Sequence, residues 1–132
     1  MNRAPIFPLL LAAWPALAGP LDAHRWEHRP ILVFSAADDP RLASQQALFE
    51  ADRQALDDRR NVVIIETDPS SALAKHYRPD AFTVILVGLD GGEKFRANRV
   101  VEPSELNGLI DRMPMRRQEL NRRSRDPNMG GG

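Results

Sequence analysis

Three apolar runs punctuate the chain, and the polar stretches between them set its architecture. Ile31-Leu32-Val33-Phe34 and Val62-Val63-Ile64-Ile65 are continuous rather than alternating. That is the pattern of strands covered on both faces in a sheet flanked by helices. Between them, Asp38-Asp39-Pro40 is a helix start: a carboxylate accepts backbone N–H groups, and proline at the first helical position forfeits no bond. The spacing predicts one helix from Pro40 to Arg59, with Leu42, Leu48, Phe49, Ala51, Ala55 and Leu56 on its apolar face. Asp52 falls close to that stripe and fits it poorly. A strand, a helix of this length and a second apolar strand make a right-handed parallel βαβ unit.

Ser71 to Tyr77 reads as a short helix ended before Pro79, and Phe82 to Val87 as a third strand. Gly88-Leu89-Asp90-Gly91-Gly92 is a hairpin turn in which Asp-Gly supplies positive φ at little cost. Glu93 to Arg96 returns as a partly charged, hence edge, strand. Pro103 to Arg112 is a last helix, with Leu106, Leu109, Ile110 and Met113 on one stripe. The order is β-α-β-α-β-β-α, an α/β fold with a central four-stranded mixed sheet flanked by helices.

Composition narrows what this fold can do. The 132 residues suffice for one domain with an ordinary core. Formal net charge is zero, with 18 basic and 18 acidic residues, so no bulk attraction draws the chain to nucleic acid or to a membrane. There is no cysteine, which leaves no thiol for disulfide exchange, thiol catalysis or thiolate metal sites.

The N-terminus reads as a processing segment. Arg3 gives a short positive start, Ile6 to Ala18 is largely apolar, and Ala16-Leu17-Ala18 has the small-x-small form of a signal-peptidase site. The expectation is a signal peptide over 1–18, a domain over 19–117, and a basic, glycine-ended flexible tail over 118–132. Export follows, to the periplasm in a two-membrane bacterium. The competing reading, a short membrane anchor, meets a segment too short to span the roughly 30 Å hydrocarbon core and interrupted by Pro8 and Pro15.

The strand and helix order, with a proline near the start of the first helix and a later strand-glycine-strand hairpin, resembles the thioredoxin core. Redox members of that fold carry Cys-x-x-Cys at the start of the first helix, where this chain has Asp38-Asp39-Pro40-Arg41. They also carry a proline just before the third strand, where this chain has Ala81-Phe82-Thr83 with Pro79 slightly early. Four further pieces resemble an uncharacterised bacterial family, domain of unknown function 4174. These are Trp26 with Arg29, the turn Asp38 to Leu42, the hairpin Gly88 to Arg96, and the closing run Leu109-Ile110-Asp111-Arg112-Met113-Pro114-Met115-Arg116-Arg117. The resemblance covers Arg25 to Arg117. It implies a small exported thioredoxin-like domain with no assigned activity.

Candidate chemistry concentrates where strands end. Asp38, Asp39 and Asp68 all follow predicted parallel strands and could share a rim, the start of an oxygen-donor set for a hard cation. The plainer reading makes Asp39 the helix cap and Asp38 the turn cap. Arg41 is placed to pair with either aspartate or to reach a partner. Asp90, Lys94 and Arg96 form a polar hairpin with an ion pair across it. Arg112, Arg116, Arg117, Arg122, Arg123 and Arg125 make the end of the chain basic, either as a solvated helix in which Glu119 pairs with Arg122 and Arg123 or as a partner-facing surface. His24 and His28 lie four apart around Trp26, a spacing that holds metal on a helix but lacks further ligands. Trp26 is expected to pack on the sheet end. No serine, histidine or carboxylate pair matches a nucleophile motif.

The reading is an exported, non-redox binding module without a cofactor, using Asp38, Asp39, Arg41, Asp68, Arg116 and Arg117. Its partner would be an envelope protein or a small ligand, with no nucleic acid and no membrane span after signal cleavage. The alternative is a metal-dependent enzyme at Asp38, Asp39 and Asp68.

Overall fold

The computed structural model describes residues 19–125. The segment read as a signal peptide and the glycine end of the tail lie outside the described residues. After a 3-10 turn at Asp22–His24 come β1 (Arg29–Phe34), α1 (Pro40–Ala51), α2 (Arg53–Asp58), β2 (Asn61–Glu66), α3 (Ala72–Tyr77), β3 (Thr83–Val87), β4 (Glu93–Ala97), α4 (Pro103–Asp111) and α5 (Pro114–Arg125). The four strands form one sheet in the order β2-β1-β3-β4. β1 and β2 run parallel, and β1–β3 and β3–β4 are antiparallel.

Central position explains the unbroken apolar run of β1: every one of its residues is buried. Side chains alternate across the pleat. Ile31 and Val33 join Leu42, Phe49, Leu56, Val84, Leu86, Val101, Leu106 and Ile110 on one face. Leu32 and Phe34 join Ala74, Ile85 and Val87 on the other. Burying each such side chain fully contributes about 1.5–3 kcal/mol. Gln45, fully buried, donates from Nε2 to the carbonyl of Val101 and accepts the N–H of Val101, both at 2.8 Å. That pair of bonds fixes the approach to α4 without leaving a polar atom unmatched.

The structure corrects the sequence reading in four places. The expected single helix over Pro40–Arg59 breaks at Asp52, which ends α1 and precedes α2. A straight helix would carry this carboxylate toward the apolar stripe; the break re-phases the chain so that Leu56 is buried instead. β2 is not covered on both faces: it is an edge strand, and Val63 and Ile65 are each 38% exposed. The segment expected to be flexible from residue 118 is helical through Arg125. Trp26, expected against the sheet end, is 57% exposed. Its φ is +70°, a region a bulky residue enters at a cost, and its N–H donates to the Leu89 carbonyl at 2.6 Å.

The hairpin follows expectation. Gly91 takes φ +84°, and a Cβ there would lie 3.0 Å from Arg25 Nε. Lys94 pairs with Asp90 at 2.9 Å and Arg96 with Glu93 at 2.8 Å.

Candidate functional site

Where β1 and β2 end and the antiparallel β3 begins, three connections meet. The β1–α1 turn, the β2–α3 turn and the α3–β3 loop enclose a cleft of about 310 Å³. Phe34, Ala74, Pro69 and Pro79 give it apolar walls, and Asp39, Glu66 and Asp80 bring one carboxylate from each connection.

Asp39 is the N-cap of α1. Its Oδ1 accepts the Arg41 N–H at 2.9 Å, and its two oxygens hold the Arg41 guanidinium at 3.1 and 2.7 Å. The guanidinium in turn lies 5.1 Å from the centre of the Phe82 ring, within cation–π range. The Arg41 side chain, then its N–H, hold the Asp39 carboxyl below its ordinary pKa. The helix start is thus closed by the chain's own ion pair.

The other predicted residues divide. Asp38 is exposed and accepts no hydrogen bond among the described residues, so it does not cap the turn. Asp68 turns onto its own loop: Oδ1 accepts from Ser70 Oγ at 2.7 Å and Ser70 N–H at 2.9 Å, which lower its pKa. Its N–H donates to Glu66 Oε2 at 2.8 Å. Asp38, Asp39 and Asp68 therefore form no donor set, and among the described residues no three His, Asp or Glu side chains gather to hold a metal ion. His24 and His28 meet instead as a pair, Nδ1 to Nδ1 at 3.1 Å.

Arg116 is not a surface residue. It is 2% exposed, with ion pairs to Asp58 at 2.8 Å, Asp111 at 3.2 Å and Glu119 at 3.3 Å. Glu119 does not pair along its helix with Arg122 and Arg123; it meets Arg29, 1% exposed, at 2.9 Å. The buried Glu119–Arg29 pair fastens α5 to the first residue of β1, and the Arg116 pairs tie it to α2 and α4. Arg117 is exposed, as are Arg112, Arg122, Arg123 and Arg125. Arg123 pairs with Asp58 at 2.7 Å.

Sequence reasoning missed Asp80 as a cleft residue. The signal lay in topology: once β3 runs antiparallel to β1, the loop before it must return to the rim where β1 and β2 end. Glu66, the last residue of β2, is likewise a cleft residue only because the fold brings the three connections together.

Comparison with known proteins agrees with the fold. A family model described as "Domain of unknown function (DUF4174)" matches residues 20–119. No curated protein matches. Two solved structures from malaria parasites are similar. One, titled as a structure of a malarial protein, is 18% identical with TM-score 0.52, covering 64% of this chain and 94% of that one. The other is thioredoxin-2, described as a component of the parasite's protein secretion machinery. It is 18% identical with TM-score 0.54, covering 65% of this chain and 84% of that one. At this identity the likeness establishes a thioredoxin-like fold.

Proposed function

The chain belongs to the DUF4174 family, and we propose that it is an exported, non-redox binding module of the cell envelope. Its partner is a protein that presents a basic, partly apolar segment to the cleft at the strand ends. One observation carries this reading: three carboxylates, Asp39, Glu66 and Asp80, arrive from three connections around apolar walls. A lysine or arginine chain has the matching form, an aliphatic stem for the walls and a cationic head for the rim. Asp39 already serves Arg41, so Glu66 and Asp80 are the residues left to receive that head. With no cysteine in the sequence, thiol–disulfide exchange has no reacting atom.

Export rests on the positive start, the apolar stretch and the Ala16-Leu17-Ala18 site. Protein recovered from the envelope fraction of its native cell should begin at Gly19; a retained Met1 would count against export by this route.

The cleft is tested by amide NMR of the full chain. Short peptides alternating lysine and leucine should shift Ser35, Ala36, Glu66 and Asp80, and the doubly substituted Glu66→Gln/Asp80→Asn chain should lose the response. Matched glutamate–leucine peptides should leave the cleft untouched. If no lysine peptide perturbs these residues, or if both series do so equally, the reading is wrong.

A further inference from the structure

At the end of the sheet opposite the cleft lies a larger groove, and it has the reverse character. It holds about 580 Å³ between the β3–β4 hairpin and the elbow where α4 turns into α5, within the roughly 300–1,000 Å³ of small-molecule sites. Leu89, Leu109, Met113, Pro114 and Met115 line it. Its charged groups are Arg29, Asp90, Lys94 and Arg112. Arg29 is answered by Glu119 and Lys94 by Asp90. Arg112 alone has no side-chain partner among the described residues, and it is exposed at the end of α4.

The elbow brings the C-terminus of α4 and the N-terminus of α5 to the groove together, so the opposed ends of their dipoles offset and Arg112 carries the local charge. Arg29 supplies an independent sign. It lines the groove, is 1% exposed, and its Nε is a buried nitrogen without an acceptor, an uncommon state in a folded protein. The far wall is held under strain. Trp26 keeps φ +70° while bonded to the Leu89 carbonyl, a conformation that persists only where the surroundings impose it.

We infer that this groove binds a single-chain anionic amphiphile, a medium-length alkyl carboxylate in the simplest case. The alkyl chain lies against Leu89, Leu109, Met113 and Met115, and the carboxylate pairs with Arg112. Charge complementarity selects the occupant. Apolar walls alone would take any greasy molecule, but the single unanswered cation at the rim favours an anionic head and repels a cationic one. The groove is independent of the cleft: it sits at the other end of the sheet and shares no residue with it.

The sequence supplies its own probes. Its four methionines are Met1, Met113, Met115 and Met129, and among the described residues Met113 and Met115 line the groove. In the chain from Gly19 labelled with 13C-methyl methionine, dodecanoate below its micellar concentration should shift Met113 and Met115 saturably. Dodecyltrimethylammonium should shift neither. Arg112→Gln should weaken dodecanoate about two- to fivefold, as expected for loss of a solvent-exposed ion pair. Met115→Asp, at a position 38% exposed, should abolish it while leaving the thermal melt of the chain in place.

Three results overturn the inference. One is no saturable shift at Met113 and Met115 with dodecanoate. Another is equal response to the cationic detergent, or none to Arg112→Gln. The third is binding to phosphatidylglycerol vesicles without binding to monomeric dodecanoate, which would make the groove a membrane contact.

Discussion

Asp39 and Arg41 stand two residues apart and close on one another through backbone and side chain at once. The carboxylate accepts the Arg41 N–H at 2.9 Å and grips its guanidinium at 2.7 Å. One aspartate thereby caps α1 and holds a cation over Phe82. Asp39→Ala is expected to lower the melting temperature clearly, because it frees the Arg41 N–H and releases the Arg41 side chain together. Asp38→Ala should leave it unchanged, since Asp38 accepts nothing. Paired thermal melts followed by circular dichroism decide this; equal effects would mean the cap is shared.

The α5 contacts predict a larger loss. Glu119→Ala leaves Arg29 buried at 1% exposure with its carboxylate partner gone. Breaking a buried pair from one side costs about 3–5 kcal/mol. Replacing both partners, Arg29→Met with Glu119→Leu, should recover most of that loss, because no unpaired charge remains. Urea unfolding of the single and double variants measures both. A double variant as unstable as the single would show that Arg29 holds the fold through its bond to the Arg59 carbonyl.

Acid should loosen the same contacts. Burial pushes Asp58 and Glu119 upward, but hydrogen bonds from Arg116 and Arg123 to Asp58, and from Arg29 and Arg116 to Glu119, outweigh it, so both lie below their ordinary values. Asp111 is lowered by Arg59 and, against some burial, by Arg116. A carboxyl whose pKa is depressed on folding stabilises the fold above its unfolded value, about pH 4, and loses that contribution as pH falls through the folded value. Stability should therefore be level across neutral pH and drop steeply below about pH 4. In Arg116→Met the acid slope should be shallower. An unchanged slope would place the acid-sensitive groups elsewhere.

Divalent cations should not stabilise the chain. Asp68 is committed to Ser70 and Asp39 to Arg41, so neither carboxylate is free to assemble a site with Asp38. Melts with Ca²⁺, Mg²⁺, Mn²⁺ and Zn²⁺ are expected to superimpose on the metal-free curve. A rise with any one of them that disappears in Asp68→Asn would restore the metal reading.

Most of the architecture was legible because it rests on local signals. The apolar run of β1 announces a central strand, Asp39-Pro40 announces a helix start, and Asp90-Gly91 announces the hairpin. What the sequence concealed depends on where elements lie in space. Val62 to Ile65 looks as apolar as β1, yet edge position leaves Val63 and Ile65 partly in solvent. Arg116 and Arg117 are neighbours in a basic run, and helix phase buries one and exposes the other. The run Leu109 to Met115 read as the end of a helix; only the fold shows it as the wall of a groove. Glu119 was expected to serve its own helix, since local pairing rules cannot see an arginine ninety positions away.

That distance also governs when the domain can close. A chain made N-terminus first on a ribosome delivers the Arg29 guanidinium long before its carboxylate. Until α5 emerges, drawing β1 fully into the interior strands a bare charge at its first residue, at a cost of several kcal/mol. The last helix to be made therefore carries the carboxylate that the first residue of β1 needs in order to be buried.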